Sequence, residues 1–349
     1  MTSMSGLRVA VVGATGAVGQ TMLRVLQERA FPVAQLRPMA TSRSAGSAIS
    51  WRGRAVPVED VEQADFTGVD LALLAGGEIA SSVYAPRALE QGAVVVDNSA
   101  TYRMDPEVPL VVPEVNPQAL RGHKGLIANP NCSTIQLVVA LAPLHRAAGL
   151  RRVVVTTFQS VSGTGKEAIE ELSGQLRRWA AEAELAPPRV YPRQIAFNLL
   201  PQIGSFDDEG YSGEEVKIMA ETRRILDLPD LAVAATCVRV PVFYSHAESV
   251  YIETERPLSP AQAREILASA PGLQVLDEPA RGLYPTPLDA QDQDLVLVGR
   301  IRRDPCVAHG LHLWVVADNL RKGAATNAVQ IAEHLLEIGL LAPPAAAGG

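Results

Sequence analysis

From Leu7 to Val12 the chain is apolar at nearly every position, the pattern of a parallel strand buried on both faces rather than the alternation of a half-exposed one. The run stops at Gly13-Ala14-Thr15-Gly16-Ala17-Val18-Gly19, and helical spacing follows from about Gln20 to Arg29. A second strand is predicted near Gln35 to Met39. Buried strands recur at Val69 to Ala75 and Ala93 to Asp97, with the helical stretch Ile79 to Gln91 between them. Strand and helix therefore alternate, and parallel pairing is the natural outcome.

From about Arg152 the strands lengthen. Val153 to Gln159, Ala232 to Phe243, Ser249 to Glu255, Leu295 to Ile301 and Leu311 to Ala317 predict a large mixed sheet, with a helical stretch from Lys166 to Glu184. The fold class expected is α/β: a Rossmann-type doubly wound nucleotide-binding domain, followed by an α+β domain with a large mixed sheet. The first domain spans 1–131 and is completed by a returning C-terminal helix within 319–340, predicted at about Ala324 to Leu336. The second spans 132–318, and 341–349, rich in Ala, Pro and Gly, reads as a flexible tail.

Composition adds bounds. A chain of 349 residues, 47% hydrophobic and 20% charged, has room for two cored domains. The net charge of −7 gives no basic footprint for nucleic acid. No apolar run is long enough for a signal-peptide core or a membrane span, and three scattered cysteines make no disulfide framework, so a cytoplasmic location is expected. Cys306, His309 and His312 lie close in sequence, but the three-residue spacing sends the histidines to opposite faces of a strand and no fourth ligand is evident. No metal is expected, and Cys237 and Cys306 read as packing residues.

Cys132 is different. It lies in Asn129-Pro130-Asn131-Cys132-Ser133-Thr134, just ahead of the apolar stretch Gln136 to Leu144, which puts a thiol at the positive end of a helix where thiolate is favoured. The glycine turn, with Gly13 closing the strand, Thr15, Gly16, Ala17 and Val18 in the loop and Gly19 in the first helical turn, can bring backbone N–H groups to a pyrophosphate. After the second strand comes Thr41-Ser42-Arg43-Ser44, with no carboxylate, which suits the 2′-phosphate of NADP. A nucleophilic cysteine with a redox cofactor suggests oxidation or reduction through a thioester.

These segments, with Asp97-Asn98-Ser99, Val111-Val112-Pro113-Glu114-Val115-Asn116, Gln159-Ser160-Val161-Ser162-Gly163, Glu214-Glu215-Val216-Lys217, Arg239-Val240-Pro241-Val242 through His246, and Asp318-Asn319-Leu320-Arg321-Lys322-Gly323, resemble the aspartate-semialdehyde dehydrogenase family. The resemblance implies NADPH-dependent reductive dephosphorylation of L-4-aspartyl phosphate to L-aspartate 4-semialdehyde, a reversible step toward lysine, methionine and threonine. It implies Cys132 as nucleophile, His246 as proton carrier and Gln159 as orienter of the acyl-enzyme. Arg239 would hold the substrate carboxylate, Arg103 and Lys217 the phosphate, and Glu214 the ammonium, with Asn131 beside them. Ser162, Gly163 and Asn319 would lie at the cofactor. The resemblance also assigns substrate binding and dimerisation to the second domain, so a homodimer, or a tetramer, is expected. Two rivals are N-acetyl-glutamyl-phosphate reductase, whose cysteine usually follows Asn-Pro-Gly, and a catalytically silent nucleotide-binding protein on the same fold.

Overall fold

The computed structural model describes residues 6–342, so most of the expected tail, residues 343–349, lies outside the described residues. The chain divides into two compact units, 1–130 with 324–349, and 131–323.

In chain order the first unit contains β1 (Leu7–Val12), α1 (Ala17–Glu28), β2 (Val33–Ala40), β3 (Ala48–Trp51), β4 (Arg54–Pro57), β5 (Glu59–Asp60), β6 (Leu71–Leu74), α2 (Glu78–Glu90), β7 (Val94–Asp97) and β8 (Leu126–Ala128). Six strands form one sheet in the order β5-β2-β1-β6-β7-β8, and all of its pairs are parallel. The order reverses between β1 and β6, and ligands of such sheets bind at the carboxyl ends of the strands beside that reversal. Strands β3 and β4 make a separate hairpin through Arg52 and Gly53, both at positive φ.

The second unit runs α3 (Cys132–Ala148), β9 (Leu150–Gln159), α4 (Lys166–Ala180), α5 (Gly213–Leu226), β10 (Ala232–Arg239), β11 (His246–Thr254), α6 (Pro260–Ser269), β12 (Leu273–Val275), α7 (Pro287–Ala290), β13 (Val296–Arg303) and β14 (Gly310–Ala317). Its sheet is mixed, in the order β10-β9-β11-β14-β13-β12. Helix α3 is buried at every position from Ser133 to Leu144, as a helix that is apolar all round should be. It packs across β9, β11, β13 and β14. Finally α8 (Thr326–Glu337) returns to the first unit, where Ala328, Val329, Ile331 and Leu335 join Leu7, Val9, Met22 and Leu26 in one core.

Two expectations are corrected. The strand expected from Ala232 to Phe243 stops at Arg239, because Pro241 has no N–H to pair and Ser245 takes φ 70°, turning the chain back into β11. Cys306, expected to pack, is exposed in a turn whose Asp304 carboxylate accepts its amide at 2.6 Å. Among the described residues no helix is long and apolar enough to cross a membrane.

Candidate active site

Cys132 is the first residue of α3. Asn131 precedes it with extended backbone (φ −60°, ψ 144°), and its Oδ1 accepts from the amides of Ser133 at 2.9 Å and Thr134 at 3.1 Å. This is a side-chain N-cap, and it fixes the thiol on the first turn, at the positive end of the helix. Cys132 is half-buried, whereas Cys237 lies within the sheet, where burial pushes its thiol far up and makes it inert.

The other half of Asn131 reaches α5. Its Nδ2 donates to Glu214 Oε1 at 2.7 Å, and its own amide donates to Glu221 Oε2 at 2.7 Å. The same Glu214 oxygen accepts from Gln159 Nε2 at 3.1 Å, and Glu214 Oε2 lies 3.9 Å from Lys217 Nζ. Glu214 therefore joins three of the expected site residues, Asn131 and Gln159 by hydrogen bonds and Lys217 by an ion pair. Its neighbour Glu215 faces elsewhere and accepts from the Cys237 amide on the edge strand β10 at 2.9 Å, a structural duty.

Sheet register assembles the rest. Arg239 closes β10 opposite Gln159, which closes β9; His246 opens β11 opposite Ala317, the last residue of β14. One end of the sheet thus carries Gln159, Arg239, His246 and, two residues past β14, Asn319. The seven-residue separation of Arg239 and His246 is closed by the 240–245 turn: a methyl group on Gly163 would stand 3.0 Å from Arg239 Nη1 and 3.2 Å from His246 Nε2. Arg239 Nη1 donates to the Ser160 carbonyl at 2.6 Å, and the Ser160 amide donates to His246 Nδ1 at 3.0 Å. Asn319 Oδ1 accepts from the hydroxyls of Ser160 and Ser162 and from the Ser245 amide, at 3.1, 3.0 and 2.9 Å. Burial, and then the Arg239 charge, hold His246 well below the usual histidine range, so the ring is neutral at physiological pH.

The residue after Asn319 begins a turn that sequence reading treats as an ordinary connection. Residues Arg321–Ala325 form a π-helical turn, with the Gly323 amide bonded to the Asp318 carbonyl at 3.0 Å. The Asp318 carboxylate caps the turn through the amides of Leu320 and Arg321. Gly323 lies against Cys132, where π turns commonly mark functional positions. Glu221, Ser160 and Gly323 are thus site-building residues not singled out by sequence. Ser160 and Gly323 stand inside family-like segments without a role of their own, and Glu221 lies two helical turns beyond Glu214 on one face.

In the first unit, Gly13 has φ 82°, and a methyl group on it would meet the backbone of Ala75 and Gly76 at 2.8 Å. A Cβ at Gly19 would stand 2.8 Å from Ala14 Cα. Gly16 caps α1 without any side-chain bond, leaving the first-turn amides of α1 without a side-chain acceptor. Thr15 Oγ1 lies 3.4 Å from Ser44 Oγ, and Arg43 is exposed beside it. This bare helix terminus with a hydroxyl and guanidinium rim fits a dinucleotide phosphate. Arg103 also belongs to this unit, buried, with Nε and Nη2 donating to the carbonyls of Asn129 and Asn98 at 2.9 Å each. Among the described residues no cluster of three or more His, Cys, Asp or Glu could hold a metal ion, and His312 pairs with Asp304 at 2.9 Å.

Residues 8–123 match the model of the semialdehyde dehydrogenase NAD-binding domain, and residues 141–322 that of the semialdehyde dehydrogenase dimerisation domain. The aspartate-semialdehyde dehydrogenase of Aquifex aeolicus is 52% identical over 339 residues, 96% of this chain and 100% of its own. The crystal structure of aspartate semialdehyde dehydrogenase II complexed with ASA from Vibrio cholerae superposes with a TM-score of 0.92 at 48% identity, covering 95% of this chain and 98% of that one. The crystal structure of aspartate semialdehyde dehydrogenase with NADP from Candida albicans has a TM-score of 0.72 at 27% identity, covering 95% and 98%. With this likeness along nearly its whole length, on top of a capped cysteine and a dinucleotide turn, the chain belongs to the aspartate-semialdehyde dehydrogenase family.

Proposed function

We propose that the protein catalyses the reversible, NADPH-dependent reductive dephosphorylation of L-4-aspartyl phosphate to L-aspartate 4-semialdehyde through a thioester on Cys132, in the biosynthesis of lysine, methionine and threonine. The observation that carries this reading is the Asn131 cap, which seats Cys132 at the terminus of a buried helix and links it through Glu214 to Gln159.

In the biosynthetic direction Cys132 Sγ attacks the acyl carbon, the C–O bond to phosphate breaks, and the electron pair leaves with phosphate. Arg239, with one guanidinium edge held by the Ser160 carbonyl, presents a planar fork to the substrate carboxylate. Lys217 meets the departing phosphate, Glu214 the ammonium, and Gln159 orients the thioester. Arg103 is assigned to the phosphate as well. NADPH would supply the hydride, and the Gly13–Gly19 turn with Thr15, Gly16, Ala17 and Val18, then Thr41, Arg43 and Ser44, and at the nicotinamide end Ser162, Gly163 and Asn319, would hold it. The thiohemiacetal then collapses, releasing aldehyde and thiolate, while His246 holds or moves the proton at the substrate oxygen.

NADP rather than NAD is favoured by Arg43 without a neighbouring carboxylate, and the Candida albicans relative was solved with NADP. We place a second copy of the chain on the sheet face opposite α3, where register aligns Thr236, Thr156, Ser249 and Trp314 in a row of half-buried or exposed side chains. The dimerisation-domain match supports that placement, and sedimentation of the purified protein checks it.

The deciding assay is phosphate-dependent reduction of NADP with L-aspartate 4-semialdehyde, beside Cys132→Ala and with N-acetyl-glutamate 5-semialdehyde as rival. Turnover of the aspartyl aldehyde that disappears in the variant is expected. Preference for the acetylated aldehyde would move the assignment, and cofactor binding without turnover of either would mark a silent protein.

A further inference from the structure

Among the described residues no carboxylate stands behind His246. Its Nδ1 faces Ser160, which offers two opposite partners: the amide N–H at 3.0 Å and the hydroxyl Oγ at 3.1 Å. The amide can only donate, so while that bond stands Nδ1 is a bare lone pair and the neutral ring carries its proton on Nε2. Nε2 is fully buried and has no hydrogen-bond partner among the described residues. In this form His246 donates a hydrogen bond from Nε2 to a reacting oxygen, and it cannot take a proton there.

To act as a base at Nε2 the ring must carry its proton on Nδ1 instead, and that proton needs an acceptor. Ser160 Oγ is the side-chain group in reach, 3.1 Å away. It is held by Asn319 Oδ1 at 3.1 Å and by Ser162 Oγ at 2.9 Å, and its own proton is directed to Asn319, which leaves its lone pairs for the ring. We propose that Ser160 is a positioning residue for the reaction, its amide holding the form of His246 that donates from Nε2 and its hydroxyl receiving the Nδ1 proton of the forms that accept at Nε2. When Nε2 takes the proton of a substrate hydroxyl, the electron pair of that O–H bond stays on oxygen and the imidazolium is held by Nδ1–H donating to Oγ; the reverse step returns the proton from Nε2. The inference rests on the reaction proposed above.

The charges around the ring fit a partner of this kind. Burial and Arg239 from β10 oppose the second proton, while the Ser245 backbone favours it. Glu248, two residues along the same strand, and Asp318, just past the end of β14, are both pushed up toward their neutral forms by burial. Among the described residues Ser160 Oγ is the side-chain acceptor at Nδ1, beside the Ser245 backbone.

The test uses the full-length protein, Ser160→Ala, which keeps the amide and deletes the hydroxyl, and Ser160→Thr, which restores a hydroxyl. We expect Ser160→Ala to lower kcat about 100-fold, the lower range of what general acid–base catalysis supplies, with KM for semialdehyde and phosphate nearly unchanged. Its acid limb in the kcat–pH profile should move to lower pH, and Ser160→Thr should recover most of the rate. Nitrogen-15 NMR of histidine-labelled parent protein, with His246→Gln for assignment, should show the ring protonated at Nε2 at neutral pH, which is readable whether or not the alanine variant folds. A parent ring protonated at Nδ1, or a Ser160→Ala profile that overlays the parent, overturns the proposal. A parent that does not turn over the semialdehyde overturns the reaction itself, a result distinct from an active parent with an indifferent variant.

Discussion

A methyl group placed on Gly323 would stand 3.0 Å from Cβ of Cys132 and 3.4 Å from its Cα. The glycine is presented by the π-helical turn Arg321–Ala325, which the Asp318 carboxylate caps, so neither side of this contact is free to retreat. Gly323→Ala must therefore move Cys132 by a few tenths of an ångström. A misplacement of about 1 Å at a reacting group costs about 100-fold in rate, so this shift should cost about tenfold in kcat/KM. Steady-state kinetics with the semialdehyde check it, beside a melting temperature that stays near the parent's. An unaltered kcat/KM would show that the turn does not set the thiol's position.

Asn131 joins three contacts in one residue: its side chain caps α3 and donates to Glu214, and its backbone amide anchors on Glu221. Asn131→Ala should lower unfolding free energy by about 1 kcal/mol for the cap alone. It should also slow alkylation of Cys132 by iodoacetamide, because an uncapped first turn frays and loses its fixed amides. Glu221→Gln keeps the shape and removes the charge from one hydrogen bond, for an expected loss of about 1 kcal/mol. Urea titration and alkylation rates measured on both variants separate stability from thiol reactivity. Equal alkylation in parent and Asn131→Ala would remove the cap from the account of Cys132.

How far these relationships are legible in sequence depends on their physical origin. Strands β1, β6 and β7 announce themselves because burial on both faces demands continuous apolar runs, and the start of α3 is written locally by Asn131 and the apolar stretch behind Cys132. The Glu214 and Lys217 pair follows from helical spacing. The π turn does not, because its extra residue is stabilised by Asp318 and by packing against Cys132, neither of which leaves a periodicity. Ser160 is likewise silent: it reads as one more small residue in a loop until the strand register places His246 against it. Arg239 and His246 could be named as a pair only by resemblance, since their meeting depends on a turn with Ser245 at positive φ.

Arg43 is exposed on the rim where Thr15 and Ser44 approach each other. A hydrogen bond to a charged partner contributes about 1.5–3 kcal/mol, so Arg43→Ala should raise KM for NADP by about 10- to 100-fold while leaving the weaker reaction with NAD nearly unchanged. Parallel titrations of the two cofactors at fixed semialdehyde read this directly. An equal loss with both would mean that the guanidinium contacts a group common to the two dinucleotides.

Glu248 supplies the pH prediction for stability. It lies on β11 between Thr157 and Val315, fully buried, and burial pushes its carboxyl well above the ordinary value of 4.5, only partly opposed by the amide of Gln136 on α3. Between that ordinary value and the raised one, the folded protein holds a proton that the unfolded chain has released. Stability from this group is therefore complete below about pH 4.5 and falls as pH rises, by about 1.4 kcal/mol per pH unit, until the folded carboxyl itself ionises. Glu248→Gln keeps a neutral side chain of the same length and removes that slope. The stability of the variant relative to the parent should rise as pH increases above about 4.5 in urea titrations. A difference that stays constant as pH rises from 4.5 would show that the Glu248 carboxyl is not raised in the folded state.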